Sequence, residues 1–201
     1  MALNFANNNS LSAISAKPSG LSGGSMNLIS TQTASSSSTI SFTSGIDSTY
    51  DEYVFKFYDI HPQTNFRHLG FQANAVGGSG FNETITSTMF IANHKEDNSS
   101  SNLAYEGDGD QAQGTGFQSI IHAMGNGNDE SGSGTLHLFN PSSTVMVKHF
   151  IATTNTYTDD DRSQNNFAAG YINTTSAIDE IQFKMSSGNI DSGVIKLYGI
   201  S

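Results

Sequence analysis

The chain has 201 residues, 35% hydrophobic and only 13% charged, with a formal net charge of −10 and no cysteine. That length fits one domain, or one domain with an appendage. Eight Lys+Arg against 18 Asp+Glu argue against electrostatic binding of nucleic acid or an anionic membrane, and the lack of cysteine excludes disulfides and Cys-ligated zinc.

Residues 1–38 are low in complexity, with Asn7-Asn8-Asn9-Ser10, Ser22-Gly23-Gly24-Ser25 and Ser35-Ser36-Ser37-Ser38. The start, "MALNFANNNSLSAISAKPSG", has no basic beginning and no continuous apolar region, so it does not read as a secretory signal. No run approaches the roughly 20 apolar residues of a membrane-spanning helix. Phe5, Leu11, Ile14, Leu21 and Met26 stand singly in a Ser/Asn/Gly background, at spacings that fit neither a helix nor a strand. The expectation is an extended interaction arm over 1–38 whose apolar side chains need pockets on another chain.

From residue 39 the texture changes to period-2 alternation. Strands are predicted around Ile40–Phe42, Tyr53–Tyr58, Leu69–Ala73, Thr84–Ala92, Phe117–Ala123, Thr135–Phe139, Val145–Thr153, Phe167–Ile172, Glu180–Met185 and Val194–Ile200. Gly, Ser, Asn and Pro clusters separate them, and β-branched and aromatic residues fill them. The fold class expected is all-β: an antiparallel β-sandwich, jelly-roll-like, over 39–201, preceded by the extended arm. The last two runs read as a finished hairpin in the middle of a sheet, with Ile181, Phe183, Ile195 and Leu197 in the core. The Asn/Asp/Gly-rich stretches 93–116 and 155–165 read as long loops. In the run after Tyr53, Val54, Tyr58 and Ile60 share a face with Lys56. That face is more apolar than a solvent face needs to be, so it is expected to be covered by another subunit or by the arm.

The chemistry-bearing residues are few. Asp108 and Asp110 in "EGDGDQ", Asp129 and Glu130 in "GNGNDES", and Asp159 and Asp161 in "TDDDR" supply oxygen ligands on short polar loops, as Ca²⁺ requires. None matches the twelve-residue calcium loop, and ordinary solvated Asx turns are the favoured account of them. The only cofactor reading is therefore calcium, weakly; otherwise none. Six histidines include His137 and His149 on neighbouring predicted strands, where they are expected to face one another without a third metal ligand. No hydrolase elbow of the Gly-x-Ser-x-Gly kind occurs, and the acids lie in polar loops where nothing raises a carboxyl pKa. The chain reads as non-enzymatic, with no catalytic residues.

The stretches "ISTQTASSSSTISF", "FTSGIDSTYDEYVFKFYDIHP", "HLFNPSSTVMVKHF" and "GYINTTSAIDEIQFKMSSGNIDSGVIKLYGI" resemble a family of small virion proteins encoded by tailed phages of marine bacteria. The resemblance covers most of residues 27–201. It implies a β-sandwich structural protein on the virion surface, assembled in the host cytoplasm. Two functions follow. One is a capsid decoration or cement protein, a homo-oligomer such as a trimer, whose arm binds the major capsid protein or another virion protein. The other is a tail-fibre or adhesin module that recognises a host glycan through its loops. The short sequence before the body, without heptads or repeats, favours decoration.

Overall fold

The computed structural model describes residues 26–201. Among them thirteen strands form and no helix: β1 (Met26–Ser37), β2 (Ile40–Phe42), β3 (Glu52–Pro62), β4 (Arg67–Ala75), β5 (Ile85–Lys95), β6 (Ser101–Tyr105), β7 (Ala112–Gly114), β8 (Gln118–Met124), β9 (Gly132–Phe139), β10 (Lys148–Tyr157), β11 (Arg162–Ile172), β12 (Ile178–Met185) and β13 (Ile190–Ile200). All pairings are antiparallel. A nine-stranded sheet has the order β1-β13-β3-β9-β10-β11-β5-β6, with β7 also on β5, and it stacks on a four-stranded sheet, β2-β12-β4-β8.

Without β5–β7 and β10–β11, the two sheets read β1-β13-β3-β9 and β2-β12-β4-β8. Each strand of the first then has a chain neighbour at the matching place in the second. This is the eight-stranded jelly roll. The excursion β5–β7 and the hairpin β10–β11 add strands to one side of the larger sheet. The turns 38–39, 63–66, 125–131 and 186–189 cross between sheets and, because the strands alternate in direction, all lie at one end, together with turns 96–100 and 158–161. Met26 lies at the opposite end beside Ile200, and Asn27 Nδ2 there donates to Ser201 Oγ at 2.9 Å.

The core forms where alternating side chains of both sheets meet. Phe183 on β12 takes Phe42, Phe55 and Phe57 edge-on, at centroid distances of 6.1, 5.2 and 5.3 Å. Phe71 and Phe150 make the same kind of contact at 5.0 Å. Such pairs add to the stabilisation from burial itself. The inward face of the added strands is mixed: Ile85, Met89, Phe150, Ala152, Ala168 and Ile172 join the core, and a set of buried polar side chains lies beside them. Gln164 Nε2 donates to His122 O and Asn166 Oδ1, Asn166 Nδ2 to Thr154 Oγ1, and Thr154 Oγ1 to Ile120 O. Gln118 Nε2 donates to Gly109 O and receives the Ser87 hydroxyl on its Oε1. These uncharged groups are buried but mutually satisfied, which removes the penalty of taking them out of water.

Each of the ten predicted strands has its counterpart, and Ile181, Phe183, Ile195 and Leu197 are fully buried. Several expectations change. The boundary at 38/39 moves, because residues 26–37 form β1 along β13, while Phe5, Leu11, Ile14 and Leu21 lie outside the described residues. Met26 begins that strand and is 39% exposed. The two last strands are not a hairpin, since β12 belongs to the smaller sheet and β13 to the larger. Gly188, at φ 74°, turns the chain between the sheets, and a Cβ there would sit 2.6 Å from Thr64 Oγ1. The stretch 155–165 is a tight hairpin rather than a long loop, and 93–116 contains β6 and β7. Val145 precedes β10 and is exposed. Ile60 faces inward, not outward with Tyr58, because a register shift follows Phe57 and Asp59 takes φ 49°.

Candidate functional site: the outer face and the turn-bearing end

The outward face of the nine-stranded sheet has an unusual composition. Registered pairs trace one row across it, from Thr31 to Lys196, Lys56, Thr135, Thr153, Phe167, Phe90 and Tyr105. At one side of this row Phe90 and Phe167 stack at 4.7 Å, and Leu103 and Tyr105 on β6 are 71% and 61% exposed. At the other side Lys56 and Lys196 stand directly opposite each other across β3 and β13, an arrangement that like charges disfavour. Each ammonium lies over a tyrosine ring, Lys56 over Tyr198 at 5.6 Å and Lys196 over Tyr58 at 5.4 Å. Among the described residues neither lysine has a carboxylate in ion-pair range. Between these sides an apolar trough of about 510 Å³ lies over β5, β10 and β11, bordered by His149, Ile151 and Tyr171. The sequence put Lys56 and Tyr58 on this face. It did not reveal Lys196 and Tyr198 beside them, because strand neighbours 140 residues apart leave no local signal.

The expected pairing of His137 with His149 does not occur. The register sets Ile151 opposite His137 and Tyr171 opposite His149, and His137 Nδ1 bonds Glu52 Oε1. The histidines that do meet are His68 on β4 and His122 on β8, stacked at 3.8 Å. A bulge in β8 holds Ala123 at φ 59° and turns its N–H onto His68 Nδ1 at 2.8 Å, so that nitrogen is the acceptor. Burial pushes the His68 imidazole down to about 4, with the adjacent His122 and Arg67 adding to the effect. Burial lowers His122 as well.

The acidic candidates fall in three places. Asp108 and Asp110 lie in the β6–β7 turn, where Tyr105 Oη donates to Asp110. Asp129 and Glu130 line a polar cavity of about 420 Å³ with Asp59, His61 and Asp191, and Glu130 accepts the Gly127 N–H. Asp159 and Asp161 close the β10–β11 turn: Asn65 Nδ2 donates to Asp159 at 3.1 Å and Tyr157 Oη to Asp161 at 3.3 Å. Fold topology thus brings Asp129 and Glu130 to two further carboxylates and leaves Asp108 and Asp110 apart. Among the described residues, no three His, Asp or Glu side chains converge closely enough to hold a metal ion. No helix there is long and apolar enough to cross a membrane.

Comparison with protein families, with curated proteins and with solved structures finds no match to this chain.

Proposed function

We propose that this chain is a non-enzymatic structural protein of a phage particle, a capsid-surface decoration protein fastened to the major capsid protein through the segment that precedes Met26. The family resemblance of the sequence supplies the particle. The observation that carries the mode of attachment is the position of β1. Its register with β13 brings the chain into the sandwich beside Ile200, at the end opposite the six clustered turns. A segment leaving there can engage a surface together with the connections 43–51, 76–84, 140–147 and 173–177 at that end, while the six turns point away from it. Its isolated apolar residues suit pockets on a partner, and its backbone suits a partner's sheet edge. Ordering costs about 1–2 kcal/mol per residue, so the contacts must be made with another chain rather than within the segment. Repetition on a particle lattice lets weak individual contacts hold through effective concentration.

The test is deletion of residues 2–25, with the product incubated on particles that lack the protein. The expected result is an unchanged melting temperature and loss of particle occupancy. Occupancy equal to that of the full chain would overturn the reading. The turn cluster, with its polar cavity beside Asp129 and Glu130, favours a second reading as an adhesin module for a host glycan. In that case the shortened chain would still bind host cells.

A further inference from the structure

We propose that the two edges of the nine-stranded sheet are complementary, and that β1 of one copy pairs antiparallel with β6 of the next, so that copies stand side by side with the same end up. The pairing concerns a second copy of this chain and does not depend on which particle carries it.

Among the described residues, both edges lack the usual protection. β1 is twelve residues long, "MNLISTQTASSS", and β6 is "SNLAY"; neither contains a charge or a proline. Edge strands are normally blunted by such residues, because their free backbone groups otherwise template pairing. Each edge also exposes apolar side chains: Leu28 on β1, and Leu103 and Tyr105 on β6.

Strand direction selects the partner. Eight strands lie along the path from β1 to β6, each antiparallel to its neighbour, so β1 and β6 run in opposite directions. A neighbour in the same orientation therefore meets β1 with an antiparallel β6, and the larger sheet continues without a break. Pairing β1 with another β1 in antiparallel fashion would invert one copy and carry its Met26 to the opposite end.

The row from Thr31 through Lys196 and Lys56 reaches Tyr105 at the far edge, so continuing it into the next copy sets Tyr105 beside Thr31 and Leu103 beside Thr33. β6 offers only five residues, so a single contact is weak. Such a head-to-tail contact accumulates strength when it closes a ring or when every copy is also held at its base.

The absence of cysteine gives a clean experiment. Full-length Thr33→Cys and Leu103→Cys variants are made separately, and both sites are on exposed edges where folding is little disturbed. Mild oxidation of the mixture is expected to yield a disulfide-linked dimer, and either variant alone is expected to stay monomeric on a denaturing gel. A variant carrying both substitutions is expected to give a ladder. Self-linking by Thr33→Cys alone would replace the proposal with a two-fold β1–β1 contact. A yield in the mixture no higher than that of Asn155→Cys, in the middle of the outer face, would also overturn it.

Discussion

Phe183 meets three other phenylalanine rings from β2 and β3, so its removal leaves a cavity that neither sheet can close without moving strands. Phe183→Ala is expected to lower the unfolding free energy by about 3–5 kcal/mol, read from the urea midpoint at unchanged slope. Lys148 is a different kind of buried residue. Its ammonium donates to Met146 O at 2.9 Å and Thr174 O at 3.1 Å, joining the loops before β10 and after β11, and burial pushes its pKa down. Lys148→Met keeps the aliphatic stem but leaves those carbonyls without a donor, with an expected cost of about 1–3 kcal/mol in the same measurement. The stacked histidines set a pH dependence. Above pH 6.5 both are neutral whether the chain is folded or not. Between 6.5 and about 4 the unfolded chain takes up protons that the folded one refuses, so stability falls as the pH drops through that window. Below it the folded state protonates too and this loss levels off. His122→Phe keeps a ring against His68 and removes one titration. The melting temperature of that variant is expected to decline less from pH 6.5 to 4 than that of the parent chain, and an identical decline would refute the assignment.

At the scale of elements, the alternating runs were legible because one face of each strand is apolar and the other polar. Ile181, Phe183, Ile195 and Leu197 needed no more than that to be placed in the core. What alternation cannot encode is which sheet a strand joins. The tight, glycine-bearing turn at 186–189 looks the same whether it closes a hairpin or crosses the sandwich, and only the pairing of β12 with β2 and β4 and of β13 with β1 and β3 distinguishes the cases. β1 was missed for a related reason. Its core contacts are few, with Ala34 buried and Ile29 partly so, and the rest of its stability comes from backbone bonds to β13 that any sequence can make. The candidate surfaces were half legible: the acidic turns are visible in the sequence, whereas the lysine pair and the histidine stack exist only through register. The two parts of the expected arm consequently predict different outcomes. Removing residues 2–25 is expected to spare the melting temperature, while removing 2–37 strips β13 of its outer partner. The longer deletion is expected to lower the melting temperature and to promote aggregation through the newly exposed edge, measured by light scattering on heating. Equal melting temperatures for the two deletions would show that β1 contributes nothing to the fold.

At the scale of the whole molecule, the eight sheet-crossing connections divide evenly between the two ends, and the entry of β1 marks one of them as a base opposite a crown formed by turns 38–39, 63–66, 125–131 and 186–189. A load applied between them runs parallel to every strand. If the chain is held through the segment before Met26 and drawn away by its crown, the bonds between β1 and β13 are strained together in shear. Traction between Met26 and Ser201, which are neighbours at the base, instead peels the same two strands apart one rung at a time. Single-molecule pulling through handles at residue 26 and residue 160 is therefore expected to require a higher rupture force than pulling through residues 26 and 201. The same pair of strands would then be a strong tether in the direction an anchored protein is loaded and a weak one in any other. Equal forces in the two geometries would argue against anchorage through β1.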